Sequence, residues 1–334
     1  MIKIGVIGLG RIGKVHLENI QYHIPTAKVV AACSGSEKGF AFAKERGVQK
    51  CYTSVQQMLA EVELDAVVLA SPTALHFEHL KLLIAARKHI FCEKPIDLSL
   101  ENVQFLKKEL DQNPVNFMVG FNRRYDPTIL SIKKQLDQQK LGQPQSIKLT
   151  SRDPGPPPME FIKTSGGLFL DMAIHDFDLA SYLMGSEVTE VYATASVFGE
   201  LPLESVGDVD TAVTVLKFKN KGFATIENSR NSVYGYDQRL EVFGAQGMLS
   251  STNQADTMVS FSNQEGVHHP KPVGFFIERY QASYLNIMKA FIKALEQNET
   301  PELSFQDGLH SLTLSLAAKK SSEENRLVLL SEIS

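Results

Sequence analysis

Two short segments of the chain carry residue types that move protons in enzymes. Glu93-Lys94-Pro95 closes one apolar run, and Asp171 and His175 lie four residues apart in another segment. A lysine ammonium can hydrogen-bond a substrate hydroxyl and stabilise the alkoxide that develops from it. Histidine is the usual general base near neutral pH. The two segments therefore indicate proton transfer to and from a hydroxyl group.

The second segment has the pattern of a helix that carries three polar residues on one face. Residues 168–184 read as one continuous helix that ends at Gly185. Asp171, His175 and Asp178 are at positions i, i+4 and i+7 and share a face, so the acids can orient the imidazole. Two other interpretations remain: a capping acid with a structural histidine, or a metal site, which two acids and one histidine without cysteine support poorly.

Lys94 is predicted at the carboxyl end of a strand over residues 89–92. The proline that follows favours extended backbone at Lys94, which would hold the ammonium near the strand ends. The alternative is a solvated surface lysine, the usual state of this residue, and the tripeptide alone does not decide between them.

The N-terminal elements that must position this chemistry predict a dinucleotide-binding turn. An apolar run over residues 2–7 is typical of a buried parallel strand, and a helical pattern extends from the turn to about Tyr22. Between them, Gly8 permits a tight turn, Gly10 allows close approach of a pyrophosphate, and Gly13 allows the helix to pack on the strand.

A dinucleotide would place its pyrophosphate at the start of that helix, beside Arg11 and Ile12. A second strand over residues 27–33 ends at Ser34, where an acid normally binds the ribose hydroxyls of NAD. Serine does not repel a 2′-phosphate, and Arg11 or Lys38 could attract one, whereas Glu37 could replace the missing acid. The sequence therefore predicts NAD or NADP as cofactor, with the preference open.

A further buried strand over residues 65–70 ends in Ser71-Pro72-Thr73. Ligands bind at the carboxyl ends of parallel strands, so these three residues are predicted neighbours of the cofactor. His76 follows on a helix, where a surface position is the alternative to a contact. With a nicotinamide cofactor, the proton-transfer residues indicate hydride removal from an alcohol carbon while a base takes the hydroxyl proton.

With these motifs, the chain resembles the glucose–fructose oxidoreductase, inositol dehydrogenase and MocA family (Gfo/Idh/MocA) over essentially its whole length. The motifs that carry the resemblance occur in the family order: residues 8–13, Ser71-Pro72-Thr73 with His76, Cys92-Glu93-Lys94-Pro95, residues 120–127, and Gly166-Gly167 followed by Asp171 and His175. Within the family, residues 151–158, 175–178, 236–239 and 275–280 are most similar to the enzymes that oxidise inositols.

The resemblance implies oxidation of myo-inositol or a close polyol to the 2-keto-inositol. It implies His175 as general base, assisted by Lys94, with Asp171 binding substrate or orienting the histidine. It adds Glu93, Lys94 and Asn122 to the cofactor-binding residues. It also implies a set of polar residues that line the substrate pocket: Arg123, Asp153, Asp178, Tyr236 and Tyr280. Alternatives are a dehydrogenase of scyllo-inositol or an aldose, a glycoside hydrolase with retained NAD, and a non-catalytic cofactor sensor.

The predicted fold class is α/β, with an N-terminal Rossmann doubly wound parallel sheet and a C-terminal α+β domain with an open, mainly antiparallel sheet. The predicted domains are a dinucleotide-binding domain over residues 1–121 and a substrate-binding and oligomerisation domain over residues 122–334. Strands of the second sheet are predicted at residues 188–197, 209–218, 222–231, 240–243 and 258–261, with later helices at 278–297 and 305–320.

Composition excludes several classes of partner. The 334 residues carry 34 basic and 38 acidic side chains with no basic run, which argues against nucleic acid. No apolar stretch is long enough for a membrane span. The three cysteines form no metal-type pair, and the chain enters a strand at once without a signal peptide, so we expect a cytoplasmic protein with no metal. By resemblance we expect a homo-oligomer, namely a tetramer.

Overall fold

The computed structural model describes residues 1–333 and divides into two compact units. The first contains Met1–Tyr125 and Ala282–Leu312, and the second contains Asp126–Gln281 and the chain from Thr313 onward. The first boundary is close to the predicted one after residue 121. The segment Ala282–Leu312 differs, since the sequence analysis assigned it to the second domain. Aromatic contacts explain the difference: Phe291 meets Phe91 at 5.7 Å between ring centroids, and Phe305 meets Phe117 at 5.0 Å.

The first unit is built on a six-stranded parallel sheet. Its strands are β1 Ile2–Ile7, β2 Ala27–Cys33, β3 Lys50–Tyr52, β4 Ala66–Leu69, β5 His89–Cys92 and β6 Phe117–Val119. Their order is β3-β2-β1-β4-β5-β6, the doubly wound order of a Rossmann fold. The connecting helices are α1 Arg11–His23, α2 Glu37–Glu45, α3 Val55–Glu61, α4 His76–Ala85 and α5 Leu100–Gln112. The predicted parallel sheet is confirmed.

Local sequence explains these elements. Strands β1 and β4 are buried on both faces, as parallel strands between helices require. Three helices begin at a serine whose hydroxyl accepts a backbone N–H three residues on: Ser36, Ser54 and Ser99. Each such cap contributes about 1 kcal/mol. The helix after β1, at the predicted cofactor turn, begins without a capping side chain.

The second unit contains a seven-stranded mixed sheet. Its strands are β7 Pro144–Arg152, β8 Val188–Ser196, β9 Thr211–Phe218, β10 Phe223–Ser229, β11 Asp237–Gly244, β12 Gly247–Ser251 and, near the C-terminus, β15 Val328–Leu329. The order is β12-β11-β7-β10-β9-β8-β15. Neighbours are antiparallel except β7 and β10, which are parallel. The predicted open, mainly antiparallel sheet is confirmed.

Helices and one hairpin complete the chain. The helices are α6 Pro127–Asp137, α7 Met159–Ser165, α8 Ile174–Met184, α9 Phe276–Arg279, α10 Gln281–Gln297 and α11 Phe305–Glu324. The hairpin strands are β13 Phe261–Asn263 and β14 Gly266–His268. Within residues 1–333, no helix combines the length and apolar character needed to cross a membrane.

The large sheet has one buried and one exposed face. On β9, Ala212, Thr214 and Leu216 are buried, while the residues between them point outward. Residues directly opposite on neighbouring strands lie on the same face. The register therefore places one outward apolar side chain from each of five strands on the same face. We call these the exposed sheet face: Tyr192, Val213, Phe223, Phe243 and Met248.

Several strand predictions need correction, and β12 and β15 lie outside all of the predicted strands. The prediction missed β7, which carries only two buried apolar residues, Ile147 and Leu149, yet lies between two other strands. The predicted strand over residues 258–261 is wrong, because Met258 is 100% exposed and only Phe261 enters a strand, in the separate hairpin. A side chain that contacts no core does not fix a strand, whatever its hydrophobicity.

Candidate active site

The glycine turn after β1 has the geometry that a dinucleotide requires. Gly8 has φ +90°, and a Cβ there would collide with the backbone carbonyl of Ala70. A Cβ on Gly13 would collide with the carbonyl oxygen of Gly8. By contrast, a Cβ built on Gly10 would meet no heavy atom within 4 Å beyond its immediate chain neighbours in the described part of the chain. Neighbouring backbone is therefore packed tightly against Gly8 and Gly13, whereas the space beside Gly10 is open.

The N-terminus of α1 is also prepared for an anion. Gly10 precedes the helix with no side-chain cap, and the first turn, which begins Arg11-Ile12, contains no acid. The first backbone N–H groups of a helix have no intrahelical acceptor and carry partial positive charge. Open space beside Gly10 and backbone N–H groups without a side-chain cap suit a pyrophosphate. The residues of this turn therefore fit the predicted cofactor.

The end of β2 offers a hydroxyl where a carboxylate is usual. Ser34 Oγ accepts the N–H of Ser36 at 3.1 Å, and a Cβ on Gly39 would come within 3.0 Å of that oxygen. Glu37 is exposed as the first residue of α2, and Lys38 is exposed beside it. Ser34 thus holds the turn between β2 and α2, and no acid stands at the strand end itself.

His76 connects the ends of β4 and β5. Its Nδ1 lies 2.9 Å from the carbonyl oxygen of Pro95, and its Nε2 lies 2.9 Å from that of Ser71. The ring is buried, and desolvation lowers its pKa, while the two carbonyl oxygens act in the opposite direction. Pro72 is exposed and Thr73 half-buried on the same loop. His76 thus positions this loop from within.

Glu93 and Lys94 follow β5, and the Lys94–Pro95 peptide bond is cis. Glu93 Oε1 lies 2.7 Å from His16 Nε2, and its other oxygen accepts the N–H of Lys94 at 3.3 Å. Lys94 itself is half-buried. After β6, Asn122 is buried, and its Nδ2 has no hydrogen-bond partner within residues 1–333. A buried amide donor without an acceptor is unfavourable, so this group also fits a bound ligand.

In the second unit, the helix that carries Asp171 and His175 is not one uniform α-helix. Residues Phe169–Ala173 form a π-helical turn, and α8 continues from Ile174 to Met184. The prediction of one continuous α-helix is therefore wrong for its first residues, which form a π-helical turn. Asp171 and His175 are half-buried, whereas Asp178 is buried. Single π-helical turns often occur at functional sites.

Asp176, which the sequence analysis did not single out, fixes α8 to the sheet. One carboxylate oxygen accepts the hydroxyl of Ser151 on β7 at 2.7 Å, and the other accepts Nδ2 of Asn228 on β10 at 2.7 Å. Asp176 is fully buried, and hydrogen bonds to a charged group contribute about 1.5–3 kcal/mol each. These bonds hold the orientation of the helix that presents His175.

The Gly166-Gly167 pair makes room for an acid from another segment. Both glycines have positive φ, +84° and +81°. A Cβ on Gly167 would lie 2.5 Å from Oδ1 of Asp208, and the same oxygen accepts the N–H of Leu168 at 2.8 Å. The other oxygen of Asp208 accepts a hydrogen bond from Arg230, which also reaches Asp171. Sequence reasoning missed Asp208 and Arg230, because charged residues are normally expected at the surface.

The remaining predicted substrate residues are distributed over both units. Arg123 is buried in the first unit. In the second unit, the backbone N–H of Asp153 donates to the carbonyl oxygen of Ser229, and its carbonyl oxygen accepts the N–H of Ser232. Tyr236 and Tyr280 are buried, with rings 6.2 Å apart and perpendicular. Tyr236, Tyr280, Asp171, His175 and Asp178 thus belong to the second unit, and Lys94, Asn122 and Arg123 to the first.

The cysteines and the possible metal-ligating side chains bear on nucleophilic and metal chemistry. Burial raises the pKa of the Cys33 thiol to about 11 and that of Cys92 well above its usual value, so neither thiol is a ready nucleophile. In the described part of the chain, no group of three or more His, Cys, Asp or Glu side chains is arranged to hold a metal ion.

Comparisons with known proteins agree with this geometry. Residues 2–121 match the model of an oxidoreductase family with an NAD-binding Rossmann fold, and residues 129–250 match the GFO/IDH/MocA C-terminal domain. A myo-inositol 2-dehydrogenase of Thermotoga maritima is 44% identical over 99% of both chains, and an inositol 2-dehydrogenase of Rhizobium meliloti is 37% identical over 98% of both.

A solved structure shows the same fold. The scyllo-inositol dehydrogenase from Lactobacillus casei, with bound NAD(H) and scyllo-inositol, superimposes with a TM-score of 0.92 at 32% identity over 99% of each chain. The family resemblance predicted from the motifs is therefore confirmed.

Proposed function

The chain belongs to the GFO/IDH/MocA oxidoreductase family, and on this premise we propose that it oxidises myo-inositol, or a close polyol, to the 2-keto-inositol with NAD. The observation that carries the proposal is the half-buried pair Asp171 and His175 on the helix after the glycine pair. Relatives named as inositol dehydrogenases along the full chain support the substrate class.

His175 is proposed as the general base that takes the proton of the reacting hydroxyl. Asp171 is proposed to orient the imidazole or to bind a neighbouring hydroxyl of the ring. Lys94 is proposed to hydrogen-bond the reacting oxygen and to stabilise negative charge on it. When bound, NAD supplies the acceptor for the hydride. Together these roles account for an alcohol oxidation that needs no metal.

The proposed substrate residues are Arg123, Asp153, Asp178, Tyr236 and Tyr280. A polyol ring carries a hydroxyl on each carbon, and each hydroxyl that is buried without a partner costs affinity. Charged and phenolic side chains that are already buried lose little further solvation when such a ring binds. Asp178, Tyr236 and Tyr280 have this character in the second unit.

NAD is proposed as the preferred cofactor, with Gly8, Gly10, Arg11, Ile12 and Gly13 at the pyrophosphate. The open surface above Gly10 and the uncapped helix support these residues. Ser71, Pro72, Thr73, Glu93 and Asn122 are proposed to contact the rest of the dinucleotide, and His76 to position their loop. Ser34 carries no charge to repel a 2′-phosphate, so we expect some turnover with NADP.

We propose that the protein is a cytoplasmic homo-oligomer, a tetramer. None of its three cysteines, all within residues 1–333, forms a disulfide, which agrees with a reducing compartment. The exposed sheet face presents five large apolar side chains that are 42% to 52% exposed. The same face also carries charged residues such as Lys217 and Glu190. Exposed apolar side chains within a polar surrounding support an interface, and a second copy of the chain is the proposed partner.

The first experiment is an initial-rate assay at 340 nm with myo-inositol, scyllo-inositol and several aldoses, each with NAD and with NADP. Turnover of myo-inositol is the expected result. Turnover of scyllo-inositol alone would select the second candidate, which the Lactobacillus casei relative favours. Turnover of aldoses alone would overturn the inositol proposal but not the roles of Lys94 and His175. Silence with every pair would favour the retained-cofactor hydrolase or the sensor.

A further inference from the structure

Arg230 is a buried arginine that the proposed reaction does not yet use. It follows β10 directly, and its side chain is 1% exposed, the largest of the fully buried side chains. Its backbone N–H donates to the carbonyl oxygen of Asp210 at 2.8 Å. An arginine always carries its charge in a protein, and a buried charge requires charged or polar partners. The identity of those partners therefore indicates what the residue does.

The guanidinium lies between two carboxylates. One terminal nitrogen donates to Oδ2 of Asp208 at 3.3 Å, and the other donates to Oδ2 of Asp171 at 3.3 Å. The two acids differ in exposure: the side chain of Asp208 is 6% exposed, and that of Asp171 is 21% exposed. The inner acid thus neutralises the arginine, and the outer acid faces solvent.

Asp208 is itself held in place. Its Oδ1 accepts the N–H of Leu168 at 2.8 Å and packs directly on Gly167. Leu168 immediately precedes the π-helical turn that contains Asp171, so one short segment binds Asp208 and also carries Asp171. The arginine therefore joins the end of β10 to the start of the helix that carries His175.

We propose that Arg230 is a positioning residue, which orients the Asp171 carboxylate while Asp208 holds the guanidinium. The charge-assisted hydrogen bond holds one oxygen of Asp171 on the arginine and so fixes the orientation of the carboxylate. The inference rests on the proposed function, since it takes Asp171 to act in the oxidation. A purely structural ion pair is the competing explanation, and it predicts effects on stability alone.

The experiment compares Arg230→Met, which removes the charge, with Arg230→Lys, which retains it. For each purified protein, kcat and KM are measured with the best substrate, NAD affinity by fluorescence quenching, and the thermal midpoint by calorimetry. We expect R230M to lower kcat at least about tenfold, the loss typical of a charge-assisted hydrogen bond, with unchanged NAD affinity. R230K should recover part of the loss. Arg326→Met, which breaks the exposed ion pair with Glu332, is the matched control.

A double-mutant cycle then separates positioning from stability. If Arg230 acts through Asp171, R230M should lower kcat much less in an Asp171→Asn background than in the wild type. The inference would be overturned if R230M lowered kcat by the same factor in both backgrounds. It would also be overturned if R230M kept the wild-type kcat and only lowered the thermal midpoint. If R230M does not fold, the cycle with R230K gives the same decision. Absence of wild-type turnover with every substrate would instead reject the proposed function.

Discussion

At the scale of single residues, burial differs among the groups that could take part in the reaction. Asp171, His175 and Lys94 are half-buried, so each can reach a ligand and still be oriented by protein. Asp176, Asp208 and Arg230 are buried and bind protein groups. The half-buried residues are the proposed participants in the reaction, and the buried ones support them.

His175→Ala tests the base directly. We expect kcat to fall by roughly 10²- to 10⁴-fold, the usual contribution of a positioned general base, while NAD affinity stays unchanged. The measurements are the 340 nm assay and cofactor fluorescence. His23→Ala, at the exposed end of α1, is the control and should retain wild-type turnover. Near-normal turnover of H175A would remove His175 from the mechanism.

Ser34→Asp tests cofactor preference. A carboxylate at the end of β2 would repel the 2′-phosphate of NADP and could accept hydrogen bonds from the ribose of NAD. Since opposed like charges cost several kcal/mol, we expect the ratio of kcat/KM for NAD over NADP to rise about tenfold or more. Ser34→Ala should change this ratio little. An unchanged ratio in S34D would show that another residue distinguishes the ribose of NAD from the 2′-phosphate of NADP.

At the scale of elements, glycines set the approach distances of both predicted sites. Gly13 allows α1 to pack on the turn after β1, and Gly167 allows Asp208 to reach the helix that carries Asp171. In both places the glycine matters because a neighbouring backbone or carboxylate occupies the volume of a Cβ. The two motifs thus position functional elements through contacts that a larger residue would prevent.

A pair of substitutions in the glycine turn and the start of α1 separates packing from cofactor binding. Gly13→Ala should destabilise the protein by about 2 kcal/mol or more, because the new Cβ collides with backbone that cannot move freely. Gly10→Ala should leave unfolding unchanged, since the space around Gly10 is open, but should weaken NAD binding. Denaturant unfolding and fluorescence titration provide the two measurements. Equal effects of the two variants on both measurements would contradict this assignment.

At the scale of the whole molecule, each unit buries its own core, and the second also presents the exposed sheet face. Its register places Phe223 and Phe243 on either side of Ser146, so two aromatic side chains flank one small residue on that face. Specific interfaces usually bury about 800 Å² on each partner. A sheet of seven strands offers enough area for a contact of that size.

The predicted oligomer can be tested on this face. Phe243→Glu should split the wild-type assembly into smaller species, because a charge buried in an apolar interface has no partner. Tyr22→Glu changes an exposed aromatic residue on α1 and should leave the assembly intact. Light scattering after size exclusion measures both masses. A monomeric wild-type protein would refute the oligomer, and an unchanged F243E mass would move the interface elsewhere.

The sequence by itself determined the features that depend on local spacing. The glycine turn follows from the glycine spacing, the buried strands from short apolar runs, and the shared face of Asp171 and His175 from the helical period of about 3.6 residues. Tertiary structure alone decided the strand β7, the assignment of Ala282–Leu312 to the first unit, and the partners of Asp171. Arg230 is 59 residues from Asp171 and 22 from Asp208. Contacts at such separations arise only when the sheet and helix pack, so no local pattern predicts them.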